Sequence, residues 1–174
     1  MTGLPGEEPI ADLGHLPYRP NVGAVLFNAR GLVFVARRAD LPRDVADLAG
    51  WQLPQGGIDG DENPRDAVLR ELHEEIGTSH AEIIAEHPDW LHYDFPAGLR
   101  QLGGRKSRFR GQRQRWFALR FTGRDEDIRL DADVAPEFDA WRWTHLRELP
   151  GLAVAWKRAV YETLALSFAP FAAP

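Results

Sequence analysis

The run from Asn63 to Gly77 constrains this chain more than any other segment. Asn63 can cap a helix, Pro64 suits the first helical position, and Gly77 can close it in the left-handed conformation, so a helix is expected over 64–76. At ~100° per residue, Val68, Leu69, Leu72 and Ile76 share one arc and should face a core. Glu71, Glu74 and Glu75 stand at i, i+3 and i+4, on an arc that borders this stripe. Like charges so placed repel by a few tenths of a kcal/mol per exposed pair, and by more where water is excluded. Three carboxylates beside a buried face need a positive partner, and a hard divalent cation such as Mg²⁺ suits oxygen ligands. Arg70 can orient one of the glutamates. A solvated acidic face is the plainer reading of Glu74 and Glu75 taken alone.

The rest of the chain frames that helix. Its 174 residues are 44% hydrophobic and 27% charged, which fits an ordinary globular chain of one domain. Residues 1–17 are rich in Gly and Pro and read as an irregular lead-in, which leaves 18–174 as the domain. There is no Cys, which excludes a disulfide framework, a thiol nucleophile and any zinc or iron–sulfur site that uses Cys. No basic start leads into an apolar run, and no apolar stretch approaches the ~20 residues of a bilayer span, so a cytoplasmic protein without membrane contact is expected.

The net charge of −5 hides a local reversal. Arg105, Lys106, Arg108, Arg110, Arg113 and Arg115 occur together without an intervening acid. Such a patch on an acidic protein points to a specific anionic partner, the alternative being a solvated loop without function.

Two β-rich runs, 21–27 and 32–38, flank Asn28-Ala29-Arg30-Gly31 and predict a hairpin. Residues 39–50 read as a loop with one helical turn at Arg43 to Leu48. Trp51 to Leu53 reads as a short strand leading to a glycine loop at 56–60. Further strands are expected at 81–86, 90–93, 114–121 and 137–144, with 96–113 as a long polar connection. A closing helix is expected over 153–168, with Val154, Lys157, Val160, Tyr161 and Leu164 at helical spacing. This interleaving predicts an α/β fold with a mixed sheet flanked by helices.

Gly56, five residues, Glu62, seven residues, then Arg70-Glu71-Leu72-His73-Glu74-Glu75-Ile76-Gly77 resembles the Nudix box at every fixed position. The last position, usually aliphatic, is Thr78, whose methyl can still pack. The resemblance implies a Nudix-type α/β/α sandwich and a Mg²⁺- or Mn²⁺-dependent hydrolase of nucleoside diphosphates linked to another group. It implies Glu71, Glu74, Glu75 and the Gly56 carbonyl as metal ligands, with Glu62, Arg70 and Gly77 as structural residues. Water activation falls to Glu71 first and Glu137 second.

The flanking segments, among them 18–23, 51–58, 111–117, 136–143 and 155–161, resemble the subgroup of RNA 5′ pyrophosphohydrolases and dinucleoside polyphosphate hydrolases. That likeness implies Arg19 and Arg38 as phosphate ligands, Glu137 as a further metal ligand, and Val154, Trp156 and Lys157 around a base. From the residues alone, Trp156 either packs in the core or stacks on a base, and Arg38 either caps a strand or meets phosphate. The basic run, including Arg110 and Arg113, is expected to hold the phosphate chain or the RNA backbone, with Gln112 and Gln114 adding neutral hydrogen bonds. Trp116 and Phe117 should anchor a buried strand, and Trp141 and Trp143 a buried face.

The expected activity is conversion of a 5′-triphosphorylated RNA end to a monophosphate by a monomeric enzyme. The alternatives are hydrolysis of diadenosine tetraphosphate, or a nucleotide sensor without turnover. No G-x-S-x-G, no phosphate-loop motif and no His pair at zinc spacing offers another chemistry.

Overall fold

The computed structural model describes residues 14–42, 44 and 50–174. Most of the expected lead-in, and the expected turn at Arg43 to Leu48 apart from Asp44, lie outside the described residues.

Strand β1 (Tyr18–Phe27) is the axis of the molecule, and the next strands are β2 (Val33–Arg38), β3 (Trp51–Gln52) and β4 (Gln55–Gly57). Helix α1 (Pro64–Ile76) follows, then β5 (Ala81–Glu86), β6 (Leu91–Asp94) and the short helix α2 (Ala97–Gln101). The chain closes with β7 (Gly111–Phe121), β8 (Phe138–Thr144), α3 (Leu149–Leu152) and α4 (Arg158–Ser167). Among the described residues these strands form one eight-stranded mixed sheet.

The central pair, β1 and β7, runs parallel from Tyr18 opposite Gly111 to Phe27 opposite Arg120. Period-two alternation sends Val22, Ala24, Leu26, Phe117 and Leu119 to one face, where α1 covers them with Ala67, Val68, Leu72 and Ile76. Val25, Phe27, Trp116 and Ala118 go to the other face, under Val160, Tyr161 and Leu164 of α4. Burial on both faces explains the nearly unbroken apolar runs, and the expected α/β/α layering is present. Gly23 is required here: a Cβ would stand 2.3 Å from the Trp116 ring.

Both central strands fork. The end of β1, at Phe27, pairs with Val33 of β2, and its middle, from Asn21 to Gly23, with β4. On the other side, β7 pairs first with β6 and then with β5. The split between β2 and β4 opens the sheet at the edge of α1, and β8 adds to the outer side of β2.

Several expectations shift. The buried arc of α1 is rotated: Leu69 is 37% exposed while Ala67 is fully buried. At ~100° per residue the new arc is centred close to Val68, so Glu71 and Glu75 fall inside it instead of beside it. The polar segment 96–113 contains α2 and a 3₁₀ turn at Gly104–Arg108, and β7 begins at Gly111. Gln112 and Gln114 are therefore interior; Gln114 donates to Asn21 Oδ1 at 2.8 Å. The closing helix is broken into a 3₁₀ turn at Ala155–Lys157 and then α4. Trp141 and Trp143 are only half-buried because β8 packs on one side alone, whereas Trp116 and Phe117 are fully buried as expected.

Candidate active site

A cleft of about 670 Å³ lies at the split in the sheet. Strand β4 brings Gly56 against α1, so closely that a Cβ on Gly56 would sit 1.9 Å from Glu71 Cδ. Only glycine lets the strand backbone reach the carboxylates. The same strand receives Arg19 from β1: a Cβ on Gly57 would meet Arg19 Nη2 at 2.2 Å.

Arg70 organises the loop behind this contact. Its Nε donates to Glu62 Oε1 at 2.8 Å, its Nη2 to the Gly57 carbonyl at 2.9 Å, and its Nη1 to Glu71 Oε1 at 2.9 Å. Glu62 Oε2 also accepts from the Asp59 backbone N–H at 3.1 Å. The Arg70 guanidinium and that N–H together hold the Glu62 carboxyl down at about 2. Glu62 thus ties the loop to the helix and is not among the cleft-lining residues.

Glu71, Glu75 and Glu137 line the cleft together. Glu75 points into the body of the protein; burial first, then Glu137 and Glu71, push its carboxyl well above the ordinary range. Its Oε2 has no hydrogen-bond partner among the described residues. Burial also raises Glu71, against the pull of Arg70. Glu74 stands apart: it is exposed, leans on Arg70 at 3.3 Å and does not line the cleft. Among the described residues, no three acidic or histidine side chains are drawn close enough to hold a metal ion as they stand. An orphaned buried oxygen, two further carboxylates and a glycine cradle nevertheless suit a hard divalent cation, whose charge would offset their repulsion.

Cations face these acids. Arg38, at the end of β2, lines the cleft and is held by Asp40, whose hydrogen bond raises its pKa. Burial pulls Arg19 down. Lys157 is 8% exposed, places Nζ 3.4 Å from Gln52 Oε1 and 5.6 Å from the Tyr93 ring centre, and is brought down to about 8 by burial and by Arg38. Trp156 is 37% exposed on the cleft wall, outside both core clusters, which removes the packing alternative. Val154 lines the same wall.

Two expected substrate residues lie elsewhere. Arg110 pairs with Asp94 at 3.0 Å and sits over the Tyr18 ring, while Arg113 sits over Trp90 at 4.7 Å. Alternation along β7 turns Arg113 away from the cleft that Gln112 faces, and neither arginine lines it. In their place stand Arg105 and Lys106, with Tyr93 and Gln55 on the floor. The basic run signalled the first two; nothing in the local pattern singled out Tyr93 or Gln55.

The fold and the cleft define a mixed α/β sandwich that gathers carboxylates and guanidinium groups where its sheet divides. The chain belongs to the Nudix family: the model described as the NUDIX domain matches residues 17–164. It is 62% identical over 157 residues to the RNA pyrophosphohydrolase of Acidiphilium cryptum, covering 90% of this chain and 93% of that protein. It is 57% identical over 169 residues to the RNA pyrophosphohydrolase of Gluconacetobacter diazotrophicus, covering 95% and 99%. The solved Escherichia coli dihydroneopterin triphosphate pyrophosphohydrolase shares the fold, with a TM-score of 0.62 at 20% identity over 87% of this chain and 99% of that one.

Proposed function

We propose that this protein is an RNA 5′ pyrophosphohydrolase that uses Mg²⁺ or Mn²⁺ and converts a 5′-triphosphorylated RNA end to a monophosphate, releasing pyrophosphate or phosphate. The observation that carries this reading is the near full-length likeness to proteins named RNA pyrophosphohydrolase. The cleft supports it with donors for each part of such a substrate.

Arg19 offers bidentate hydrogen bonds to phosphate oxygens, and Arg38, whose Nε and Nη2 already pair with Asp40, offers its remaining N–H groups. Trp156 offers an open aromatic plane to a base, worth about 1–3 kcal/mol, with Val154 and Lys157 beside it. Glu71, Glu74, Glu75, Glu137 and the Gly56 carbonyl are the oxygens that would hold a divalent cation, which Glu74 would reach only on leaving Arg70. A divalent cation there would neutralise phosphate charge and lower the pKa of water. Glu71, with Oε1 engaged by Arg70, is the first candidate to take the proton from the attacking water, and Glu137 is the second. The water oxygen bonds to phosphorus as the anhydride P–O bond breaks, and the leaving phosphate departs with its electron pair.

We read residues 18–174 as a single catalytic domain that works as a monomer in the cytoplasm, on RNA ends made there. No helix among the described residues is long and apolar enough to cross a membrane. Incubation with Mg²⁺ should render a 5′-triphosphorylated RNA sensitive to an exonuclease that requires 5′-monophosphate ends, and chelation should prevent this. Intact RNA ends alongside rapid cleavage of diadenosine tetraphosphate would replace the RNA with the dinucleotide; metal-dependent binding of either without turnover would indicate a sensor.

A further inference from the structure

Two cations in the cleft have no part in the chemistry above. Arg105 and Lys106 lie on the 3₁₀ turn Gly104–Arg108, and both line the cleft. Gly103 and Gly104 have φ of 76° and 70°, a left-handed pair that turns the chain back after α2. A Cβ on either would meet nothing within 4 Å, and Leu102 is 81% exposed, so the turn stands off from the packed body.

Arg105 opposes the charge of Arg19, and Lys106 that of Lys157, while Lys106 also feels the Asp40 carboxylate in the same cleft. Neither Arg105 nor Lys106, nor the exposed Arg108, makes an ion pair among the described residues. No Asp or Glu occurs between Asp94 and Asp125, so a polyanion leaving the cleft along this segment meets no carboxylate from it. Like charges converging from two walls favour an anion longer than the group held by Arg19 and Arg38.

We infer that the turn from Gly103 to Arg108 is the track for the RNA backbone beyond the 5′ end, with Arg105 and Lys106 taking the first phosphodiesters and Arg108 a later one. This rests on the reading of the substrate as an RNA end. The anionic groups of a diadenosine polyphosphate have the same chemistry, and chain length separates the two.

The test compares kcat/KM for 5′-triphosphorylated RNAs of two and eight nucleotides, and for diadenosine tetraphosphate, across a salt series. The longer RNA should be preferred by about tenfold, and Arg105→Gln/Lys106→Gln/Arg108→Gln should reduce that preference to about threefold or less while flattening the salt slope by about 2. Arg147→Gln, an exposed charge outside the cleft, should retain the preference. An unchanged melting temperature in the triple variant, expected for exposed side chains, excludes misfolding. Equal turnover of both RNAs by the unaltered protein overturns the track and leaves the RNA-end reading standing. Equal losses on all three substrates overturn it by assigning the cations to polyphosphate. Turnover of diadenosine tetraphosphate alone overturns the RNA-end reading itself.

Discussion

Glu75 lies near the middle of the buried arc of α1, with one oxygen unpartnered and with Glu137 and Glu71 facing it. Such a group costs stability wherever it is charged, and the cation proposed for this site would offset that cost. Glu75→Gln keeps the shape and removes the charge. In the absence of divalent cations this variant should melt a few degrees higher than the unaltered protein, and in Mg²⁺ its turnover should be about 100-fold or more lower. A lower melting temperature, or full activity, would contradict the role given to Glu75.

Glu62 has the opposite linkage. Its carboxyl is held at about 2 from an ordinary value of 4.5, so the unfolded chain takes up this proton first as the pH falls. The stabilisation is complete above 4.5 and is lost as the pH drops towards 2. Denaturant unfolding at neutral and acidic pH should show that Glu62→Gln is less stable than the unaltered protein at neutrality and that this deficit shrinks in acid. A deficit independent of pH would mean that Glu62 acts through packing alone.

At the scale of elements, α1 was legible to the residue. Asn63 Oδ1 accepts from the Arg65 N–H at 2.9 Å, Pro64 opens the helix, and Gly77 ends it at φ 71°. Gly77 is doubly required, because a Cβ there would also stand 2.7 Å from the Arg129 carbonyl oxygen. Gly77→Ala should lower unfolding stability by about 1–3 kcal/mol, measured by denaturant titration. A neutral result would remove the packing against Arg129.

The rotation of the buried arc was not legible. Periodicity groups apolar residues, and it could not foresee that Glu71 and Glu75 would turn inward while Leu69 turns out. The start of β7 was hidden for a related reason. Gln112 and Gln114 alternate with Arg113 and Arg115, so the interior side of that strand is polar and gives no hydrophobic signal.

At the scale of the molecule, the cleft exists because β1 and β7 each change partners along their length, so that the sheet parts where α1 presents its glutamates. Arg19, Arg38, Glu137 and Trp156 are far apart in sequence, and no local pattern joins them; the resemblance supplied them, and the cleft gathers all four. Charge clustering marked the basic run but could not tell which of its members face inward. A tight turn carries Arg105 and Lys106 into the cleft, whereas pairing with Asp94 and stacking on Trp90 hold Arg110 and Arg113 outside.

The most direct measurement is kcat/KM in Mg²⁺ for a 5′-triphosphorylated RNA and for diadenosine tetraphosphate, side by side. A preference for RNA of about tenfold or more, equivalent to about 1.4 kcal/mol at the transition state, is the predicted result. A preference of that size for the dinucleotide would contradict the proposed function while leaving the family and the anhydride chemistry in place.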